Sequence, residues 1–518
     1  MSKFVTTPIV DSVPPRKQSV KRHFGSHPYF TRRPWNVVQA YIKHFAPNPQ
    51  ALVLDPFGGS GVTAIEAIVL GQQGIHVDLN PLSNFICQQI AIAPVDISAL
   101  RNTFLKLTDV CRDYINHIYS LSLDAVLQEK ERAWYPTSID LPKNADAPKI
   151  ENLFTRRQQL SLGWLYHNIC QIRDATIRDL MRFAFSATLN KCNLTYSTTK
   201  GRSEGRGNSG IMHTYRYWLP QNPVELNVWN EFQQKFKNLL AVKKETNQVI
   251  GRNYERLRIL HGSATQLTNW IEEASVDYIF TDPPYGSHIA YLDLSTMWNA
   301  WLGFDVSVED KKLEAIEGGD LDKSLDEYAR LLQESMEQMQ RVLKKDAWLS
   351  IVFAHKDLSY WNVLIEGAQD AGFEYANTVV QESFQFSRHK RANPNSVLSG
   401  ELILNLRKKT KPRRIQFNNG RGGERQVITE QVEHLLSVNE LGLATEDLFN
   451  RLIPRLLEHG LLKSAKTAKL LDIQAYLQET FYFDPESSRW FISPNVAVKG
   501  RELIALQENN GQLSLGLK

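Results

Sequence analysis

The order of strands, loops and helices predicts an α/β protein built on a Rossmann-like, mostly parallel sheet. Three observations carry this. A short apolar strand at 51–54 runs into the loop Asp55-Pro56-Phe57-Gly58-Gly59-Ser60-Gly61, and a helical stretch at 62–70 follows at once. A second strand at 74–77 ends in Asp78. Strand, glycine loop, helix, strand and acid in this order form a βαβ unit. Apolar strands then return at 257–260, 276–280, 348–353, 374–380 and 401–406, with helical patterns at 324–343 and 360–371. Alternation of this kind gives a parallel-rich sheet with helices on both faces.

The remaining elements are placed by local signals. Pro34 suits the first turn of a helix over 34–45. Gly71 is positioned to cap the helix before it, and Asn80-Pro81 marks a turn. Over 91–254 helical periodicity dominates, as at 99–120 and 158–190, and the polar piece KGRSEGRGNSG interrupts it. This segment reads as a mostly helical insertion dividing a catalytic domain into 25–90 and 255–407. Residues 1–24 are basic and Pro-rich and read as flexible; 408–425 read as a basic linker. Residues 426–518 form a small helical domain, and a strand at Trp490-Phe491-Ile492 is compatible with a winged-helix fold.

A chain of 518 residues is too long for one ordinary core, so two or three units are expected. An apolar content of 42% and a charged content of 22% fit a soluble globular protein. No apolar run approaches the roughly 20 residues that span a bilayer, and the first residues lack a secretory signal pattern. The expectation is a cytoplasmic protein without membrane association. Cys87, Cys111, Cys170 and Cys192 form no CxxC pair and no zinc-ligand spacing, so free thiols and no metal are expected. The net charge of +4 says little, but its distribution says more. Basic residues cluster at Arg16, Lys17, Lys21 and Arg22, at Lys200, Arg202 and Arg206, and from Arg407 to Arg414. Such clusters suit a polyphosphate backbone; solvated linkers are the competing reading.

Two motifs carry chemistry. The glycines of Asp55–Gly61 let backbone approach a ligand, and the following helix offers N–H groups to an anionic part of it. Alone, such a loop serves a nucleotide, a flavin or S-adenosylmethionine, or is simply a tight turn. Asp78 stands at the distance where an acid meets sugar hydroxyls in dinucleotide folds, and so could bind an adenosyl ribose. A turn cap is the alternative.

The second motif is Asp282-Pro283-Pro284-Tyr285, which follows an apolar strand. Chance would produce this tetrapeptide in only about a few chains per thousand of this length. The amine of a nucleobase is a poor nucleophile, because its lone pair is delocalised into the ring. Asp282 can accept one of its hydrogens and a backbone carbonyl, that of Pro283, another. Both bonds favour a tetrahedral, nucleophilic nitrogen, and the prolines hold the acceptors rigidly. Tyr285 can stack on a base that has left its helix.

With these residues in view, the chain resembles the amino-group DNA methyltransferases, at their motifs I (DPFGGSG) and IV (DPPY). The resemblance implies the class I methyltransferase form of the Rossmann-like sheet and the cofactor S-adenosylmethionine. It covers about 21–91 and 257–407. Asp78 matches the ribose-binding acid, and Asn80 lies in the adjoining turn. At His261-Gly262-Ser263-Ala264, Ser263 stands where the family often has an acid facing the adenine ring. His27 to Trp35 resembles motif X, beside the methionine end, and Arg33 could pair with the carboxylate there. Residues 343–353 resemble motif VI. The insertion falls between motifs II and III, outside the usual plan, and the DPF spelling belongs more to members with the reverse motif order, so no standard subclass is assigned.

Several segments are candidates for recognition. Lys200 to Trp218 mixes Arg, Gly, Tyr and Trp, a composition for phosphate contact and stacking or for a mobile loop. Residues 287–301 resemble motif V, with His288 and Tyr291 as candidates to face the base and Trp298 and Trp301 read as core. The basic stretch 387–396 could cover a DNA cleft. The leading function is a DNA adenine-N6 methyltransferase in restriction-modification or phage defence, acting by direct transfer without covalent enzyme intermediate. The alternatives are a cytosine-N4 enzyme, an RNA guanine-N2 enzyme and a non-catalytic DNA-binding subunit. The RNA enzymes usually carry an N-terminal RNA-binding domain, for which the stretch before Asp55 is short. Expected partners are DNA and a restriction or defence protein. Neither the recognition sequence nor the oligomeric state follows from one chain.

Overall fold

The computed structural model of the chain describes residues 4–16, 22–198, 203–204, 207–355, 357–381, 401–415, 423–458, 473–501 and 503. Two compact units emerge, one of 15–348 with Phe4, the other of 5–14 and 349–518.

In the first unit four strands are parallel: β1 (Leu52–Asp55), β2 (Gln73–Asp78), β3 (Leu257–His261) and β4 (Val276–Thr281), in the order β3-β2-β1-β4. All six residues of β4 are buried, as in a parallel strand covered on both faces, Asp277 and Thr281 included. A fifth strand, β5 (Leu343–Phe353), begins next to β4. The register pairs Val53 with Tyr278 and Leu54 with Ile75. Because the strands are parallel, Asp55, Asp78, Ser263 and Asp282 all follow strand ends on one edge of the sheet, where ligands of open α/β sheets bind. Helix Trp35–Phe45 packs against the sheet, with Phe45 stacked 5.1 Å from Tyr278 and 4.9 Å from Trp348.

The insertion belongs to this same unit. Its long helices are Ile97–Ser120, Arg156–Cys170, Ala175–Leu189 and Val228–Val249. The single stretch expected at 158–190 is therefore two helices. Asp174 breaks it, because its carboxylate accepts the Ile177 N–H (2.9 Å) and caps the second helix. Buried contacts join the insertion to helices that flank the sheet. Lys243 Nζ donates to the carbonyls of Gln89, Ile90 and Ile92 at 2.8, 2.9 and 2.9 Å, at the end of helix Pro81–Ala91. Burial lowers this amine to about 7. Tyr217 donates to Leu294 O (2.7 Å) and accepts from Met297 N (3.0 Å). Trp298 and Trp301 are fully buried, as core.

In the second unit, β6 (Phe373–Gln381) and β7 (Glu401–Lys408) pair antiparallel with a bulge at Tyr375–Asn377, so the closing strands are not parallel. Residues 5–14 correct an expectation, since they are tied down rather than flexible. Gln381 bonds to Val13 N and O (3.1 and 2.7 Å), and Asn377 Nδ2 donates to Ile9 O (2.7 Å). Side-chain amides here take the place of a strand ladder in a Pro-containing stretch. The expected linker is also shorter, because β7 runs to Lys408 and a helix starts at Gly423. Helices Gly423–Ser437, Thr445–Glu458 and Ile473–Thr480 accompany an antiparallel sheet of Leu443–Ala444, Arg489–Phe491 and Tyr482–Asp484. The expected strand at Trp490 and Phe491 is its centre. Among the described residues no helix is long and apolar enough to cross a membrane.

Candidate active site

A cavity opens at the strand ends of the first unit. Asp55, Pro56, Phe57, Gly58, Gly59, Ser60, Asp78, Asn80, Ser263, Arg33, Asp282 and Pro284 all line it. Gly61, Pro283 and Tyr285 do not touch it directly.

The loop owes its path to glycine. Gly59 and Gly61 have φ of +52° and +83°. A Cβ on Gly58 would lie 2.2 Å from His76 Nδ1, and one on Gly61 2.5 Å from Cys87 Sγ. Gly61 leads directly into helix Val62–Val69.

Each strand-end acid is fixed by its own donors. Asp55 Oδ1 accepts from Thr281 Oγ1 (2.8 Å) and Phe57 N (3.2 Å). Burial raises this carboxyl to about 7, against those donors. Asp78 accepts from Gly59 N (2.7 Å) and Asn80 N (2.8 Å), and burial raises it to about 6. Asn80 lines the cavity but its amide is spent internally, donating to Ser295 Oγ (2.7 Å) and accepting Leu82 N (3.1 Å) at a helix start. Ser263 Oγ accepts Thr265 N (3.2 Å) and lies 2.9 Å from Thr265 Oγ1.

Asp282 is held on both oxygens. Arg33 Nε donates to Oδ2 at 2.6 Å, with side chains only 12% and 19% exposed. The Tyr285 hydroxyl donates to Oδ1. The Pro284 carbonyl accepts the Tyr328 hydroxyl (2.9 Å). His288 is exposed, with Nδ1 2.7 Å from Tyr285 O. Tyr291 lines the cavity 3.3 Å from Thr31 Oγ1, and burial pushes its phenol up.

Tyr29, Arg32 and Glu314 also line the cavity, the first two within the stretch 27–35 that resembles motif X. Tyr29 stacks 6.3 Å from Tyr291 and lies against Gly59. Arg32 donates to the His27 carbonyl, and its Nε is buried without a hydrogen-bond partner among the described residues. Burial lowers it to about 10. Its place beside Arg33 in that stretch is the sequence signal for it. Glu314 is buried, accepts Leu292 N at 3.0 Å, and is raised by burial to about 7. No motif announces it.

Of the recognition candidates, Tyr215 has a left-handed backbone (φ +53°) and Arg216 pairs with Asp146. Arg413 N–H donates to Glu374 (2.9 Å), and Arg414 pairs with Asp370 (3.1 Å). Lys17, Lys21, Lys200, Arg202, Arg206 and residues 387–396 lie outside the described residues.

A family model described as DNA methylase matches residues 10–90 and 276–455, which together make up just over half of the chain. The Type II methyltransferase M.MjaII of Methanocaldococcus jannaschii is 19% identical over 399 residues, 66% of this chain and 74% of that protein. The Type II methyltransferase M.MvaI of Kocuria varians is 23% identical over 287 residues, 52% of this chain and 56% of that protein. A DNA modification methylase of Thermus thermophilus, so described in its structure's name and solved with S-adenosyl-L-methionine, is 17% identical, with 33% of this chain and 64% of that chain covered at a TM-score of 0.18. The family match takes in both the glycine loop and the tetrapeptide at Asp282 while passing over the insertion, and it shows that this chain belongs to the DNA methylase family.

Proposed function

We propose that this chain is a site-specific DNA methyltransferase that uses S-adenosylmethionine and modifies the N6 amine of adenine. One observation carries the reading: Asp282, held on both oxygens, lines the same cavity as the glycine loop and Asp78. The cavity suits the cofactor on two counts. The glycine loop, packed too tightly on His76 and Cys87 to carry side chains at Gly58 and Gly61, brings its backbone to the cavity wall beside Asp78, and Arg32 Nε is a buried donor awaiting an acceptor. Asp78 would take the sugar hydroxyls, the backbone of Asp55 to Gly61 the body of the molecule, and Arg32 the carboxylate. Asn80 and Ser263 would contribute wall rather than hydrogen bonds. Arg33, expected at the carboxylate, is paired with Asp282.

When bound, the cofactor supplies an electrophilic sulfonium methyl group. The protein's work is to prepare the amine. Asp282 accepts one amine hydrogen, and the Pro283 carbonyl the second, since the Pro284 carbonyl is engaged by Tyr328. Both bonds draw the nitrogen toward tetrahedral geometry. Tyr285 offers its ring to the base. The tetrapeptide's Asp favours adenine over cytosine by the family resemblance. The Type II names of the relatives support a role in restriction-modification beside a partner chain, with the insertion as the target-recognition region.

The test is base-resolved modification mapping of genomic DNA from cells expressing the wild-type chain or Asp282→Ala. Methyladenine at one recurrent sequence, lost in the variant, is expected. Methylcytosine there would change the base and keep the mechanism. No mark in DNA or RNA would overturn the reading.

A further inference from the structure

Arg33 is placed where the family resemblance puts a cofactor carboxylate, yet its Nε faces the catalytic acid instead. Its Nε donates to Asp282 Oδ2 at 2.6 Å, while Tyr285 donates to Oδ1. A carboxylate with a donor on each oxygen cannot rotate without breaking one of them. Burial adds a reason for a cation. Asp282 is largely enclosed, and it lies close enough to Asp55 to raise that acid's proton affinity. A carboxylate this enclosed is stabilised by the paired cation that Arg33 supplies. The neighbouring Arg32 has no such commitment: it lines the cavity, and no carboxylate pairs with it among the described residues.

We propose that Arg33 is a positioning residue for Asp282, keeping its carboxylate charged and oriented toward the target amine, and that it does not serve the cofactor. This rests on the reading of Asp282 as the amine's acceptor. Without the guanidinium, the acid takes up a proton or turns away, which weakens the acceptor in the first case and misplaces it in the second. Displacements of about 1 Å in such sites cost on the order of a hundredfold in rate.

The experiment uses the full chain as wild type, Arg33→Met and Arg33→Lys. Three quantities are read: the dissociation constant for S-adenosylhomocysteine, the single-turnover rate of methyl transfer to unmodified genomic DNA at saturating cofactor, and the melting temperature. Arg33→Met should lower the rate by roughly 10- to 100-fold and leave the dissociation constant within about threefold. Arg33→Lys should recover part of the rate, because it restores charge without the planar fork. A tenfold weaker dissociation constant with an unchanged saturated rate would overturn the proposal and return Arg33 to the cofactor. Equal losses in both variants with lowered melting temperatures would also overturn it, marking a structural role. A wild-type chain that methylates no DNA would sink the reading of the function itself. A wild-type chain that does, with Arg33→Met unaffected, would sink only the role of Arg33.

Discussion

Asp78 gives the cavity a titration that can be followed from outside. Burial raises its carboxyl from the ordinary aspartate value of 3.8 to about 6, while the N–H groups of Asn80 and Gly59 pull the other way. Sugar hydroxyls donate to an ionised carboxylate, so a ligand that arrives below this value must first displace a proton. Each pH unit below it costs about 1.4 kcal/mol, or tenfold in affinity. Between pH 8 and pH 5, affinity for S-adenosylhomocysteine should therefore fall about tenfold through this group. The ligand's own groups do not titrate in that window. Stability has the opposite sign. The folded acid holds its proton more tightly than the unfolded one, so its contribution is full below 3.8 and is lost as pH rises through about 6. Titration calorimetry at several pH values measures the affinity, with Asp78→Asn as control. Asparagine keeps an acceptor for one N–H but cannot ionise. Its affinity at pH 8 should be about tenfold weaker, since hydrogen bonds to charged groups contribute roughly 1.5–3 kcal/mol, and its pH dependence shallower. Asp55 and Glu314, both raised to about 7, account for slope that remains. A flat profile in the wild type, or the same slope in Asp78→Asn, would refute the assignment.

Three further outcomes follow from single contacts. Gly61→Ala should destabilise the chain by about 2 kcal/mol or more, combining left-handed backbone strain with a clash, and lower the urea midpoint; an unchanged midpoint would show that the Cys87 side yields. Tyr217→Phe removes the donor to Leu294 O and the acceptor of Met297 N, a loss of about 1–3 kcal/mol by chemical denaturation, and equal stability would mean that these groups find other partners. Lys243→Met leaves three carbonyls without their shared donor and should cost about 3 kcal/mol or more, detectable as a lower melting temperature; a rise instead would show that the buried amine is a net burden.

The parts of the fold legible in the sequence are those whose causes are local. Strands β1, β2 and β4 are legible as short, mostly apolar and mostly buried segments, each running into an acid at or just after its end. Strand β5 starts earlier than its apolar run suggests, because Leu343 fits the preceding helical period, while Asp346, at φ +63°, bends the strand before Trp348. The placement of Asp55, Asp78 and Asp282 in one cavity can be foreseen from parallel strands alone. Their partners cannot. Arg33 and Asp282 are 249 residues apart, and nothing near either announces the other. Glu314 reaches the cavity from a segment held by Lys311, which pairs with Asp293 (2.8 Å) and Asp320 (2.9 Å), and by Lys323, which donates to Lys311 O (2.6 Å). Charges in such a run read as solvated surface until their partners are seen. The binding of residues 5–14 to Asn377 and Gln381 is likewise a matter of distant side-chain amides, which leave no periodic trace.

The pairing of β1 with β4 joins Val53 to Tyr278 across the whole insertion. On the ribosome this sets a waiting time. At roughly 5–20 residues per second, β1 stands without its central neighbour for roughly 10–45 s. The insertion helices, whose contacts are nearer in sequence, emerge within that interval and can fold first. Until β4 arrives, the apolar edge of β1 is open to other chains. Slow translation through the insertion should therefore appear as aggregated protein, while the molecules that do fold keep full ligand affinity.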